Sequence, residues 1–213
     1  MPLSPDTAME AARPVLQVLD MAAVGVFAVS GALAAAKARQ TLVTFAFFAA
    51  VTGIGGGTLR DLLIGAPVFW VARSDYLGVC LAAAVLVWVL RADRWKLASL
   101  LWFDALGMAA YSVVGTAKAL SYGLPPLSAM VMGVLTASFG GIIRDVLAGT
   151  PSVLLGREIY VTAAALAAGV HVVGVSLGLD PVVAGVLGFA AGFTLRALAI
   201  SRGLSIPHYR ARD

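Results

Sequence analysis

Cysteine, histidine and charge are all scarce in this chain. Its 213 residues include one cysteine and two histidines, and only 12% are charged. The lone Cys80 excludes an intrachain disulfide and leaves no cysteine metal cluster. His171 and His208 lie far apart, so no histidine metal motif is present. A Walker lysine is missing too. The stretch GIGGGTLRD at 53–61 has the glycines of a phosphate loop without the lysine, and it falls inside an apolar run. No nucleophile–base arrangement is legible, so neither an enzyme, a cofactor nor a resident metal is expected. Soluble domains carry about 25% charged residues. At 61% hydrophobic, a chain this short cannot hide its apolar surface in one water-soluble core. It reads as a polytopic, all-α membrane protein whose first partner is the lipid bilayer. The net charge of +4 is no nucleic-acid signal, because the basic residues cluster in short gaps between apolar runs.

A bilayer core of ~30 Å takes ~20 apolar residues per helix. Seven runs qualify, at roughly 17–36, 42–64, 75–91, 100–119, 126–148, 158–178 and 182–200. The polar start, MPLSPDTAMEAARP, lacks the basic n-region of a cleavable signal peptide. The first run is therefore read as a retained first transmembrane helix. If the N-terminus is outside, nine basic residues fall in inner segments (Lys37, Arg39, Arg91, Arg94, Lys96, Arg157, Arg202, Arg210, Arg212) and three in outer ones (Arg13, Arg73, Lys118). The positive-inside bias favours that orientation, with the C-terminus cytoplasmic.

What the chain has in place of soluble-domain features is a repeat. Residues 57–67 read GTLRDLLIGAP and residues 141–151 read GIIRDVLAGTP, 84 positions later. The same offset, without a gap, matches Asp20 to Asp104, Gly31 to Gly115, Thr52 to Thr136, Arg73 to Arg157 and Tyr76 to Tyr160. Shared membrane composition would match Leu or Ala, not Asp, Arg, Pro and Tyr in one register. This is an internal duplication. Each copy holds three helices, an odd number, so the second enters the membrane from the opposite side. The expected organisation is a polar N-terminal segment at 1–16, inverted three-helix repeats at 17–98 and 99–180, a seventh helix at 181–201 and a basic tail at 202–213. Inverted repeats of this kind place a transport pathway at their interface.

Ionisable groups inside a bilayer are costly and face a bundle interior or water. Side chains of adjacent helical residues point about 100° apart. Arg60 and Asp61 are therefore expected to seek other partners, as are Arg144 and Asp145. Matching depths predict the pairs Arg60–Asp20 and Arg144–Asp104, with Asp61 and Asp145 reaching Arg73 and Arg157. The bland reading is that such pairs only pin helices together. The glycines Gly55, Gly56 and Gly57, and Gly140 and Gly141, allow either close helix packing or a kink or unwound turn. Their duplication favours the kink. Carbonyls freed there, with the hydroxyls of Thr52, Thr136 and Ser138, would then meet water or a cation. Lys118 and Arg196 read first as snorkelling side chains and alternatively as gating charges. His171 reads as a packing residue.

Two copies of Gly-Gly-x-x-Arg-Asp, the long repeat and the seventh helix resemble the prokaryotic trimeric intracellular cation (TRIC) channels, over about Asp20 to Arg202. The resemblance implies a homotrimer in the bacterial inner membrane, each subunit with its own pore for monovalent cations, K⁺ above Na⁺. It implies a pathway bounded by the first, second, fourth and fifth transmembrane helices, with glycine bends at Gly55–Gly57 and Gly140–Gly141 shaping the constriction. The related bacterial domain is also labelled a glycine transporter, which makes secondary transport of a small zwitterion the alternative. The acidic-lipid-binding basic stretch of animal members has no equivalent near Gly140.

Overall fold

The computed structural model describes residues 5–90, 97–152 and 159–205, with side chains from Gln17 onward except that of Leu97. The side chain of Arg13 and residues Arg91, Arg94, Lys96, Arg157, Arg210 and Arg212, on which the orientation argument partly rests, lie outside the described set. His208 lies outside it as well.

The elements among the described residues are all helices: α1 (Pro5–Lys37), α2 (Leu42–Leu63), α3 (Phe69–Ala72), α4 (Asp75–Val89), α5 (Leu97–Ser121), α6 (Pro126–Leu147), α7 (Val161–Ser176) and α8 (Pro181–Arg202). Five of these, α1, α2, α5, α6 and α8, are long and apolar enough to cross a membrane; α4 and α7 are apolar but shorter. The first apolar run sits inside a 33-residue helix, so residues 5–16 continue α1 rather than forming a separate segment. The short α3 was not expected.

Local chemistry explains the breaks. Asp180 caps α8, its carboxylate accepting from the amides of Val182 (2.9 Å) and Val183 (3.2 Å), and Pro181 fills the first helical position, where no N–H is needed. The Gly-x-Pro that follows each Arg-Asp pair is a helix stop. Gly65 (φ 69°) and Gly149 (φ 63°) adopt the left-handed conformation that ends a helix. Ala66 N–H then donates to the Asp61 carbonyl (2.8 Å), and Thr150 N–H to the Asp145 carbonyl (3.0 Å).

The two glycine runs do not break their helices: α2 continues hydrogen-bonded through Gly53–Gly57 and α6 through Gly140–Gly141. Neither helix is unwound at its glycines. Glycine serves here for approach. A Cβ at Gly56 would collide with the Thr136 carbonyl, and one at Gly140 with the Thr52 carbonyl. Likewise a Cβ at Gly31 would strike Phe48 O and Thr52, and one at Gly115 would strike Thr136. Lacking side chains, α1, α2, α5 and α6 close to backbone contact, as small residues allow in membranes. Large apolar side chains are left exposed on the outside of the bundle, among them Val43, Phe47, Leu62, Leu127, Val146 and Leu187.

Candidate ion pathway and its charge clusters

Among the described residues, the three largest fully buried side chains are all arginines, Arg60, Arg144 and Arg196. A bare guanidinium in an apolar interior is prohibitive, so each must be compensated.

Arg60, in the last turn of α2, donates Nε–H to Asp61 Oδ1 at 2.8 Å. Its Nη1 lies 4.0 Å from Asp20 Oδ1 on α1, and the guanidinium sits 5.9 Å from the centre of the Phe69 ring. Asp61 is fully enclosed. It accepts from Lys118 Nζ (2.8 Å) on α5 and from the backbone N–H of Phe69 (3.0 Å) at the start of α3. Asp20 accepts from the Tyr76 hydroxyl at 2.9 Å. Arg144 repeats the pattern on α6. Its Nε–H donates to Asp145 Oδ1 at 2.9 Å, and its Nη1 donates to both Asp104 and Ser30, each at 2.5 Å. The Tyr160 hydroxyl donates to the Ala137 carbonyl at 3.2 Å.

Both expected pairs, Arg60–Asp20 and Arg144–Asp104, are thus brought together, one loosely and one tightly. Two expectations are corrected. Adjacent Arg and Asp do meet, because the long arginine side chain folds its Nε back along the helix toward the neighbouring carboxylate. And Asp61 is not served by Arg73, which pairs in the open with Asp75 at 2.7 Å; Lys118 takes that place. Lys118 therefore turns inward, with its side chain 26% exposed. The Asp145–Arg157 contact lies outside the described residues.

A vestibule stands at each cluster. One, of about 650 Å³, is lined by Gln17, Asp20, Arg73, Tyr76, Lys118 and Ser121 among others. The other, of about 360 Å³, is lined by residues including Lys37, Leu100, Arg144, Asp145 and Thr150. The first lies at the middle of α1 and the end of α5, the second at the end of α1 and the early turns of α5. From Asp20 to Lys37 along α1 is about 25 Å. The vestibules therefore open at opposite ends of the bundle, and α1 runs opposite to α5. By the same token α2, which ends near the first vestibule, runs opposite to α6, which ends at the second. Beside the second, a narrow crevice without room for a water is bounded by Asp104, Ser138, Gly141, Arg144, Asp145 and Tyr160. Between the vestibules lie the Gly56–Thr136 and Gly140–Thr52 backbone contacts.

The expected hydroxyls fall in this middle layer. Thr52 is fully buried, and no hydrogen-bond partner of its Oγ occurs among the described residues; the same holds for Ser138 Oγ, which edges the crevice. Thr136 instead bonds back to the Met132 carbonyl at 2.6 Å. Gly55 faces the tip of Ile143, and Gly57 the ring of Phe69. Several participants carried no site signal in the sequence. Tyr76 and Tyr160 were visible only as register markers. Tyr111, which donates to the Gly53 carbonyl at 2.9 Å, and Ser30 have no polar repeat counterpart, since Phe27 and Val114 occupy those places.

A family model described as "Glycine transporter" matches the chain twice, over residues 17–92 and 101–176. The chain belongs to this family. Both ends of the second match lie 84 positions after those of the first, the offset that also relates Arg60 to Arg144. Family relatives include the UPF0126 membrane protein of Vibrio cholerae, 37% identical over 91% of this chain and 82% of that protein. Another is the UPF0126 inner membrane protein YadS of Escherichia coli K12, 36% identical over 90% and 94% respectively. Among solved structures, the TRIC trimeric intracellular cation channel orthologue from Rhodobacter sphaeroides matches with a TM-score of 0.86 at 42% identity, covering 89% of this chain and 99% of that one.

Proposed function

We propose that this protein is a monovalent cation channel of the bacterial inner membrane, a homotrimer with one K⁺-conducting pore per protomer. The observation that carries the reading is the match, at 42% identity over nearly its whole length, to the Rhodobacter sphaeroides TRIC channel orthologue. The inner-membrane assignment rests on the relative in Escherichia coli.

In this reading the chain is two inverted three-helix repeats plus α8, with α3 a part of the loop between α2 and α4. Two facts support the inversion. Repeat-related helices α1 and α5, and α2 and α6, run in opposite directions. And the Gly56–Thr136 contact becomes the Gly140–Thr52 contact when 84 is added to one residue and subtracted from the other, as a twofold axis between α2 and α6 requires. The N-terminus is taken as outside, so the Asp20 vestibule faces out and the Asp145 vestibule faces the cytoplasm.

An ion would enter beside Asp20 or Asp145, whose side chains reach their vestibules at 12% and 9% exposure. It would cross the middle layer between α1, α2, α5 and α6, where Gly56 and Gly140 set the constriction and the Thr52 and Ser138 hydroxyls offer oxygen ligands. Conduction requires α2 and α6 to separate at their contacts. Lys118, bound to Asp61, is the candidate gating charge: moving one charge through the full field is worth ~2.3 kcal/mol per 100 mV.

A second reading, transport of a small zwitterion such as glycine, is favoured by one feature besides the family description. Asp20 Oδ1 and Arg60 Nη1 and Nη2 are buried, adjacent and without hydrogen-bond partners among the described residues, an anion and a cation fit for an ammonium and a carboxylate. Purified protein in planar bilayers under a KCl gradient separates the two. The channel reading predicts unitary current steps reversing toward the K⁺ equilibrium potential. Saturable, glycine-stimulated flux without steps would replace it by the second reading.

A further inference from the structure

Helix α3 is four residues long, too short to hold its shape alone. Two hydrogen bonds pin it to α2. The backbone N–H of Phe69 donates to Asp61 Oδ2 at 3.0 Å. Trp70 Nε1–H donates to Thr58 Oγ1 at 2.9 Å, and Thr58 donates in turn to the Ile54 carbonyl at 2.7 Å. The repeat does not duplicate these groups: Thr58, Phe69 and Trp70 correspond to Ile142, Val153 and Leu154. The arrangement therefore belongs to the first mouth and has a reason of its own.

What the two pins fix is the Phe69 ring. It lies directly on Gly57, where a Cβ would come within 2.6 Å of the ring edge. It meets Tyr76 edge-on, with ring centres 4.6 Å apart and planes at 87°, and the Arg60 guanidinium stands 5.9 Å from its centre. The same ring helps line the Asp20 vestibule. Gly57 follows Gly56, whose contact with the Thr136 carbonyl belongs to the middle layer. The ring thus stands between the vestibule and that layer. Its anchor is shared with a mobile charge. Asp61 holds the Phe69 amide on Oδ2 and the Lys118 ammonium on Oδ1, the latter at 2.8 Å. One rigid, planar carboxylate links the two.

We propose that Phe69 is an aromatic gate at the floor of the Asp20 vestibule, seated on Gly57 and latched to Lys118 through Asp61. Closed, the ring covers the approach to the middle layer. Opening lifts it off Gly57 as α3 swings, and displacement of Lys118 in the membrane field turns the Asp61 carboxylate and carries the Phe69 amide with it. The gate lies in series with the Gly56 and Gly140 contacts. Its part in conduction rests on the channel reading; the seat of the ring on Gly57 does not.

Two measurements on the full-length protein test it. In planar bilayers, Phe69→Ala should raise the ratio of open to closed time about two- to twelve-fold, the weight of one edge-to-face ring pair lost from the closed state. Phe69→Leu keeps enough apolar bulk to fold and should raise it less. Gly57→Ala should push the ring from its seat and raise the ratio as Phe69→Ala does. Lys118→Gln added to Phe69→Ala should change nothing further, because the latch no longer carries a gate. The second measurement needs no conduction: thermal unfolding in detergent of Gly57→Ala, Phe69→Ala and the double variant. Alanine at 57 has no ring to strike in the double variant, which should lose less than the two single losses combined. Unchanged open and closed times in folded Phe69→Ala and Phe69→Leu, or a Lys118→Gln effect as large in Phe69→Ala as in the wild type, would overturn the gate. Strictly additive losses would overturn the seat. Absence of unitary current from the wild type would strike the channel reading and the gate with it, while the unfolding cycle still decides the seat.

Discussion

Substituting Gly140 by alanine separates close packing from flexibility as the reason for the paired glycines. The added methyl would overlap the carbonyl oxygen of Thr52, which is backbone of a packed helix and cannot swing aside. Gly56→Ala meets the Thr136 carbonyl in the same way. Their neighbours differ. A Cβ at Gly141 would find Asp104 Oδ1 at 3.5 Å, ordinary contact, and one at Gly55 would find the movable tip of Ile143 at 3.0 Å and Gly140 Cα at an ordinary 4.0 Å. Overpacking costs about 1–3 kcal/mol, and alanine returns about 0.5–1 kcal/mol of helix propensity over glycine. The net loss for Gly56→Ala and for Gly140→Ala is thus about 0–2.5 kcal/mol each. At about 2–4 °C per kcal/mol for a chain of this size, Tm should fall by up to roughly 10 °C. Gly55→Ala and Gly141→Ala should leave Tm unchanged or raise it. Thermal unfolding in detergent, followed by tryptophan fluorescence, reads all four variants. A Gly141→Ala loss equal to that of Gly140→Ala, or a Tm raised by Gly56→Ala and Gly140→Ala, would refute the packing account.

Asp104→Asn should destabilise more than Asp20→Asn, because it breaks a 2.5 Å buried pair where the other separates groups already 4.0 Å apart. Removing one partner of a buried pair costs about 3–5 kcal/mol, and Arg144 retains Asp145 and Ser30, so the Asp104 loss should fall at the lower end; unfolding curves check both the order and the size. Exchanging the charges, Asp104→Arg with Arg144→Asp, should partly recover the Tm and conductance that either single change loses, and no recovery would mean the two act separately. Lys118→Gln should leave folding nearly intact, since Asp61 keeps Arg60 and the Phe69 amide, yet reduce the voltage dependence of open probability in single-channel records. An unaltered voltage dependence would remove Lys118 from gating.

Much of this architecture was legible because a bilayer imposes lengths that a sequence must honour. Apart from α1, which starts twelve residues early, the long apolar runs appear as helices close to their expected limits, and the register of Asp, Arg, Pro and Tyr pointed to the Arg144–Asp104 and Arg60–Asp20 neighbourhoods. Legibility ended where helix-to-helix register or side-chain reach decides. Nothing local to Arg60-Asp61 told that the guanidinium would fold onto its own neighbour. Lys118, near a helix end, has the same local pattern whether it snorkels or turns inward to Asp61. The glycine pairs could serve a bend or a contact, and only the facing carbonyls of Thr52 and Thr136 distinguish the two. Ser30 is silent because its repeat partner is Val114, and Arg196 because α8 has no repeat partner at all.

On the channel reading, an ion passes between two vestibules that open on opposite sides of the membrane, and cysteine accessibility can show whether it does. In a Cys80→Ala background, Ser121→Cys places a thiol in the Asp20 vestibule and Ala38→Cys places one in the Asp145 vestibule. A charged, membrane-impermeant thiol reagent should alter the K⁺ current of the first from one side of the bilayer only, and that of the second from the opposite side only. Modification of both from the same side, or modification of either without effect on the current, would contradict the account.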